Sequence, residues 1–192
     1  MPGAKTAVAW LASVAPDPET CLREWERDPL GLALLPAGRA WDVLILPGRL
    51  GRTTLDVLCR VLDHPGPVLA GFGDARTGFL VPAGTAARWL GTCVRTVGLG
   101  TWIVVPYPGV PSYPSARAVR WLIPPDGTGT LTDPSLLELA MHEAAAALAV
   151  GENGGWAELR KRRGAFEVGT VCGQASWRNG WFGDSGVGHS SE

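Results

Sequence analysis

Asp42 is the residue whose type and setting most directly suggest chemistry. It stands in Trp41-Asp-Val-Leu-Ile-Leu46, a run that is otherwise apolar. Burying an unpaired carboxylate is expensive, so an acid in such a run is either hydrogen-bonded or functional. Enzymes that transfer nucleotides hold two metal ions with two or three carboxylates. Two of these commonly share a strand at i and i+2, where side chains face the same way. The i+2 position here is Leu44. Asp56 follows on an expected helix and Asp74 in an expected loop. A single carboxylate is a weak Mg²⁺ site. The residues therefore indicate no metal centre. The expected partners of Asp42 are hydrogen-bond donors from Arg39, a neighbouring strand or a turn.

Other strings look catalytic and fail on spacing. Met141-His-Glu-Ala-Ala145 lacks the second histidine that a zinc-protease helix needs four positions after the first. Gly183-Asp-Ser-Gly186 resembles a serine-protease nucleophile loop, but no strands follow it to form a pocket. Gly98-Leu-Gly100 has no third glycine and no helix behind it, as a dinucleotide loop requires. No phosphate loop of the Gly-x-x-x-x-Gly-Lys type occurs. The cysteines Cys21, Cys59, Cys93 and Cys172 are scattered, which implies neither a zinc knuckle nor a disulfide framework.

Composition sets the frame. At 46% hydrophobic and 18% charged residues, the 192-residue chain reads as globular over most of its length. The formal net charge of -1 removes the simplest argument for nucleic-acid binding, a strongly basic surface. No apolar run approaches the roughly 18 residues of a membrane span, and the amino terminus makes a poor signal peptide. Reduced cysteines in a cytoplasmic protein with no membrane attachment are the expectation.

The elements that must position Asp42 follow from punctuation and periodicity. Residues 1–16 read as a partly ordered amino-terminal segment. Asp17-Pro18 opens a helix to about Arg27, with Leu22 and Trp25 inward. Strands at about 32–35 and 40–46 flank Pro36-Ala-Gly-Arg39 and predict a hairpin. A helix over about 52–63 is followed by two strands, 67–72 and 78–81, around a turn. A short helix (84–90) precedes strands at 94–97, 101–105 and 118–123, the last two separated by a proline-rich loop. Asp133-Pro134 opens a helix over about 134–149. From Gly151 glycine rises and periodicity fades, so 151–192 reads as a poorly ordered tail carrying Trp156, Trp177 and Trp181. The sum is an α+β domain over 17–150, with a largely antiparallel sheet of six or seven strands and three or four helices.

Within 17–123 the order of segments resembles the amino-terminal domain of bifunctional DNA primase/polymerases, of the archaeo-eukaryotic primase fold. It is most similar to short actinobacterial members. The pieces are Asp17-Pro-Glu-Thr-Cys-Leu-Arg-Glu-Trp25, Ala33-Leu-Leu-Pro-Ala-Gly-Arg-Ala-Trp-Asp-Val43, Gly66-Pro-Val68, Gly78-Phe-Leu-Val81, Gly98-Leu-Gly-Thr-Trp-Ile-Val-Val-Pro106 and Val119-Arg-Trp-Leu122. The last two are the most specific. The resemblance implies a catalytic Asp-x-Asp or Asp-x-Glu; this chain keeps Asp42 and has Leu44 at the second place. It implies a nucleotide-binding histidine where Thr77-Gly78-Phe79 stands, and a third acid that no residue supplies. It also implies a helix and strand upstream of residue 17, as if this chain were a late-starting or truncated member.

Three readings of function follow. A degenerate, non-catalytic domain would keep a groove for DNA or nucleotides, with Arg39, Arg76 and Arg95 as phosphate contacts through bidentate hydrogen bonds. An active nucleotidyltransferase would use Mg²⁺ or Mn²⁺ at Asp42 with acids from elsewhere. An interaction module would reuse the fold and dock a protein partner through the 151–192 tail.

Overall fold

The computed structural model describes residues 2–28, 31–71, 74–109 and 119–162, with side chains described between Thr6 and Val150. Its centre is strand β2 (Trp41–Pro47), whose residues from Trp41 to Leu46 are all buried. A continuous apolar run suits a strand covered on both faces, because side chains alternate sides. Trp41, Val43 and Ile45 join one apolar layer, and Leu44 and Leu46 join another.

The sheet around β2 is antiparallel at every pairing. Strand β4 (Arg76–Pro82) lies along one edge and the short β5 (Arg95–Val97) along the other. Beyond β4 come β3 (Val68–Gly71) and β7 (Val119–Ile123), giving the order β5-β2-β4-β3-β7. The predicted pair at 67–72 and 78–81 is the β3–β4 hairpin. A second sheet pairs β1 (Leu32–Pro36) with β6 (Trp102–Pro106). With the helices, these seven strands form an α+β fold with a mostly antiparallel sheet system.

One face of the five-stranded sheet packs helices α3 (Gly48–Val61) and α5 (Pro134–Arg162), through Leu55, Leu58, Leu137, Ala140 and Ala144. The other face packs α1 (Pro2–Ala12), α2 (Pro18–Arg27) and the β1–β6 ladder, through Leu11, Trp25, Leu35 and Ile103. Helix α2 starts as its sequence demands. Asp17 Oδ1 accepts from the Thr20 backbone N–H at 3.0 Å, and Pro18 needs no donor in the first turn. The segment with the most specific resemblance has a tie of its own. The Trp121 indole N–H donates to the Pro106 carbonyl at 2.9 Å, joining the start of the proline-rich stretch to the strand that follows it.

Two expectations are corrected. The 32–35 and 40–46 strands exist but form no hairpin, because β1 and β2 belong to different sheets. The Ala37 N–H extends the β1 side by donating to Thr101 O, and Gly38 turns the chain at φ +87°. A Cβ at Gly38 would lie 2.3 Å from the Leu99 backbone, so only glycine allows this step between sheets. Both edges of β2 are then taken by β4 and β5. Residues 1–16 are also more than a loose segment. Ala7, Val8, Leu11 and Ala12 recur at helical spacing, and Leu11 and Ala12 are fully buried beside Trp25 and Trp41. A third difference concerns α5, which runs to Arg162 instead of ending near 149. The rest of the expected tail, 163–192, lies outside the described residues, as do residues 110–118 of the proline-rich loop and the side chain of Trp156. Among the described residues no helix is long and apolar enough to cross a membrane.

Leu11→Ala tests the place of α1 in the core. It should cost about 2–5 kcal/mol, the range for emptying a buried leucine site. Urea denaturation should show a lower midpoint at unchanged slope. A shift below about 0.5 kcal/mol, the size of an ordinary surface change, would remove α1 from the core.

Candidate functional site

Asp42 is 1% exposed, at the start of β2 and on the face that also carries Leu44 and Leu46. Its carboxylate reaches the turn that leaves β4. Asp42 Oδ2 accepts from the Ala86 backbone N–H at 2.7 Å. Ala86 lies in the first turn of α4 (Thr85–Arg88), whose own N-cap, Gly84, offers no side chain. Asp42 therefore supplies the cap from another strand, satisfying an amide that a helix start leaves unpaired. The Thr85 hydroxyl closes the same turn by donating to Pro82 O at 2.6 Å. Asp42 Oδ1 is buried and has no hydrogen-bond partner among the described residues. It lies 3.4 Å from where a Cβ on Gly98 would stand.

The companions that metal chemistry would need are missing here. Leu44, at i+2, is fully buried in the layer shared with α3 and α5. Asp42 faces Val81 across the ladder. Asp56 lies on the exposed side of α3. Asp74 sits at the β3–β4 turn, where Arg120 Nη2 donates to both of its oxygens at 2.6 Å. Among the described residues no three His, Cys, Asp or Glu side chains are grouped to hold a metal ion. The residues present do not fit a two-metal centre, which requires ions about 3.5–4 Å apart held by shared carboxylates. The position where the resemblance implies a histidine is interior: Thr77 is fully buried, and its hydroxyl has no partner among the described residues.

The three arginines singled out by sequence do not converge. Arg39 is exposed in the turn between β1 and β2, near Asp42. Arg95 is exposed on β5, opposite Ile45. Arg76 pairs with Pro47, at the far end of β2 from Asp42.

Arg76 keeps other company. Across the sheet it lies in the row Pro47–Arg76–Gly71, next to Val119. Helix α3 begins directly after Pro47, and its first turns carry Arg49 and Arg52. Arg120 follows Val119 on β7 and holds Asp74, and Arg52 Nη1 lies 4.0 Å from Asp74 Oδ2. The turn presses close to the helix: a Cβ on Gly48 would stand 1.7 Å from the Asp74 carbonyl oxygen, so residue 48 must be glycine. Asp74 itself adopts φ +67°, a left-handed conformation that aspartate tolerates better than most residues. The Arg120 fork holds it there. Arg52 and Arg120 thus share the Asp74 carboxylate beside the start of α3, Arg49 stands in its first turn, and Arg76 lies at the same end of the sheet but on the opposite face, in the row of Val119. The Gly48 amide at this start donates to the Ala75 carbonyl at 2.8 Å, and the helix dipole favours anions at such an end.

The sequence signal for this arrangement was present in Pro47-Gly-Arg-Leu-Gly-Arg-Thr-Thr54. It is hidden if Pro47-Gly48 is taken only as a breaker and the helix is begun at 52. Arg120 could not be found that way, because β7 joins β3 from far along the chain. No protein-family model, no curated protein and no solved structure matches this chain.

Asp42→Ala should cost about 1–3 kcal/mol by leaving the buried Ala86 amide unpaired. Asp42→Asn, which keeps an acceptor oxygen, should cost less. Thermal melts of the native protein should not move on adding MgCl₂ or MnCl₂. A metal-dependent rise in melting temperature that vanishes in Asp42→Asn would make Asp42 a metal ligand after all.

Proposed function

We propose that this chain is a non-catalytic primase/polymerase-like domain that holds nucleic-acid phosphate at the arginine-rich end of its sheet. The observation that carries the reading is the state of Asp42. Its carboxylate is used as a cap for α4, and the i+2 position that would complete a metal pair is a core leucine. Polymerising chemistry through such a residue would need its cap released and a second acid placed where Leu44 packs.

Phosphate binding draws support from the other end of β2. Arg52 and Arg120 meet at Asp74 beside the start of α3, and Arg49 stands in the first turn of that helix. Guanidinium groups suit phosphate because their planar fork donates two parallel hydrogen bonds. The formal net charge of -1 does not oppose this reading. A local basic face acts within a Debye length of about 10 Å, whatever the sum over the chain. Arg39 and Arg95 lie apart from this group and are left out of the proposed contact. A cytoplasmic location goes with the same reading.

An interaction module is the second reading, and one observation favours it. Leu139 and Val150 of α5 are 65% and 72% exposed. Large aliphatic groups left in water on one helix suit a surface that another protein covers. The tail residues Trp177 and Trp181 that would dock a partner lie outside the described residues.

The test is binding of a fluorescein-labelled single-stranded oligonucleotide, followed by anisotropy at several NaCl concentrations. Affinity should fall steeply with salt, by roughly 0.7 log units per log unit of salt for each phosphate contact. Arg52→Ala should weaken binding uniformly across sequences and reduce that slope by about one contact. Primer extension with Mg²⁺ or Mn²⁺ and nucleotides should be absent. Salt-independent or undetectable binding would remove the phosphate reading, and primer extension abolished by Asp42→Asn would restore the enzyme.

A further inference from the structure

Away from both ends of β2, the carboxyl end of α3 borders a cleft of about 340 Å³. That volume falls in the range of small-molecule sites, roughly 300–1,000 Å³. Three pieces of chain form it: the last turn of α3 with Cys59, the segment from Leu62 to Pro67, and the segment from Ile123 to Thr130. Leu62, Ile123 and the prolines supply apolar surface. Asp63, His64 and Asp126 supply the ionisable groups.

The walls are held in place from within. The Thr132 hydroxyl donates to the Pro65 carbonyl at 2.6 Å in a fully buried bond. This ties the two loop segments together beneath the cleft. Asp126 Oδ1 accepts from the Thr128 backbone N–H at 2.8 Å and from its hydroxyl at 2.7 Å. Those bonds, with a smaller contribution from His64, hold the Asp126 carboxyl below the usual carboxylate range. Asp126 Oδ2 receives neither Thr128 bond.

Charge decides what class of molecule such a cleft accepts. Among the described residues no arginine or lysine lines it, although the chain has 17 of them. The carboxylates of Asp63 and Asp126 share the cleft with the imidazole of His64 and, among the described residues, with no guanidinium or ammonium group. An anion would be repelled. A bare metal ion finds no group of three ligands among the described residues. An ammonium group on an apolar body matches both surfaces at once, the carboxylates with its charge and the proline-lined wall with its carbon. We propose that this cleft binds a small organic cation, a primary amine carried on an apolar body.

Cys59 supplies a reporter because it lines the cleft and is exposed, while Cys93 is exposed elsewhere. The full chain is treated with N-ethylmaleimide, and peptide mass spectrometry follows Cys59 and Cys93 separately. Benzylamine is the probe and benzyl alcohol its uncharged counterpart. Benzylamine at ten times its Kd should slow labelling of Cys59 by about tenfold, as occupancy requires. Labelling of Cys93 should not change, and benzyl alcohol should do nothing. Asp63→Asn and Asp126→Asn should each weaken the protection; asparagine at 126 still accepts the Thr128 bonds. No protection at millimolar benzylamine overturns the proposal, as does equal protection by the alcohol or protection that survives both substitutions together. If the Asp126 variant fails to fold, Asp63→Asn and the two probes on the native chain still decide the matter.

Discussion

The double-sided burial of β2 is the constraint on which the rest of the molecule depends. Every residue from Trp41 to Leu46 is enclosed, with helices on one face and with helices and a second sheet on the other. A strand so placed tolerates a carboxylate only where a donor meets it, since an unpaired buried polar group costs about 1–3 kcal/mol. The Ala86 amide meets that condition for one oxygen of Asp42. At residue 44 no such donor is needed, because leucine packs against α3 and α5. Tight packing at 44 leaves no acid at the i+2 place: an acid there would face helix side chains instead of solvent and ions.

Charge is sorted across the molecule even though the sum is close to neutral. Arginines collect where β2 ends and α3 begins, and two carboxylates, with His64 beside them, line the cleft where α3 ends. The same helix runs between them. Its dipole has the matching sense at both sites, since the amino end favours anions and the carboxyl end favours cations.

The sequence was informative wherever local physics decides. Asp17-Pro18 announced α2, β-branched residues announced β6, and the turn at 73–77 announced the β3–β4 hairpin. It misled at Pro36-Ala-Gly-Arg39. Two apolar runs around a turn look alike whether the strands pair with each other or pass into separate sheets, and only distant partners distinguish the two outcomes. The burial of Asp42 could be read from its neighbours, but its actual donor could not, because Ala86 lies 44 residues further on. The cluster around α3 was invisible in the same way. Arg120 becomes a neighbour of Arg52 through strand register and their shared Asp74, which no short window contains. Helix α1 was legible from its spacing at 7, 8, 11 and 12 and was obscured by its place at the chain's beginning.

The ladder between β1 and β6 pairs Leu32 with Pro106 and Pro36 with Trp102. Its ends are therefore separated by nearly the whole of the five-stranded sheet in sequence. Closing so long a loop costs entropy before any contact compensates it, and such contacts slow folding. The β3–β4 hairpin and α3 bring together near neighbours and are free of that delay. On loop length alone the β3–β4 hairpin and α3 come cheaply, while the ladder that packs in the same apolar layer as Trp25 and Trp41 is the costliest closure among the strand pairs described.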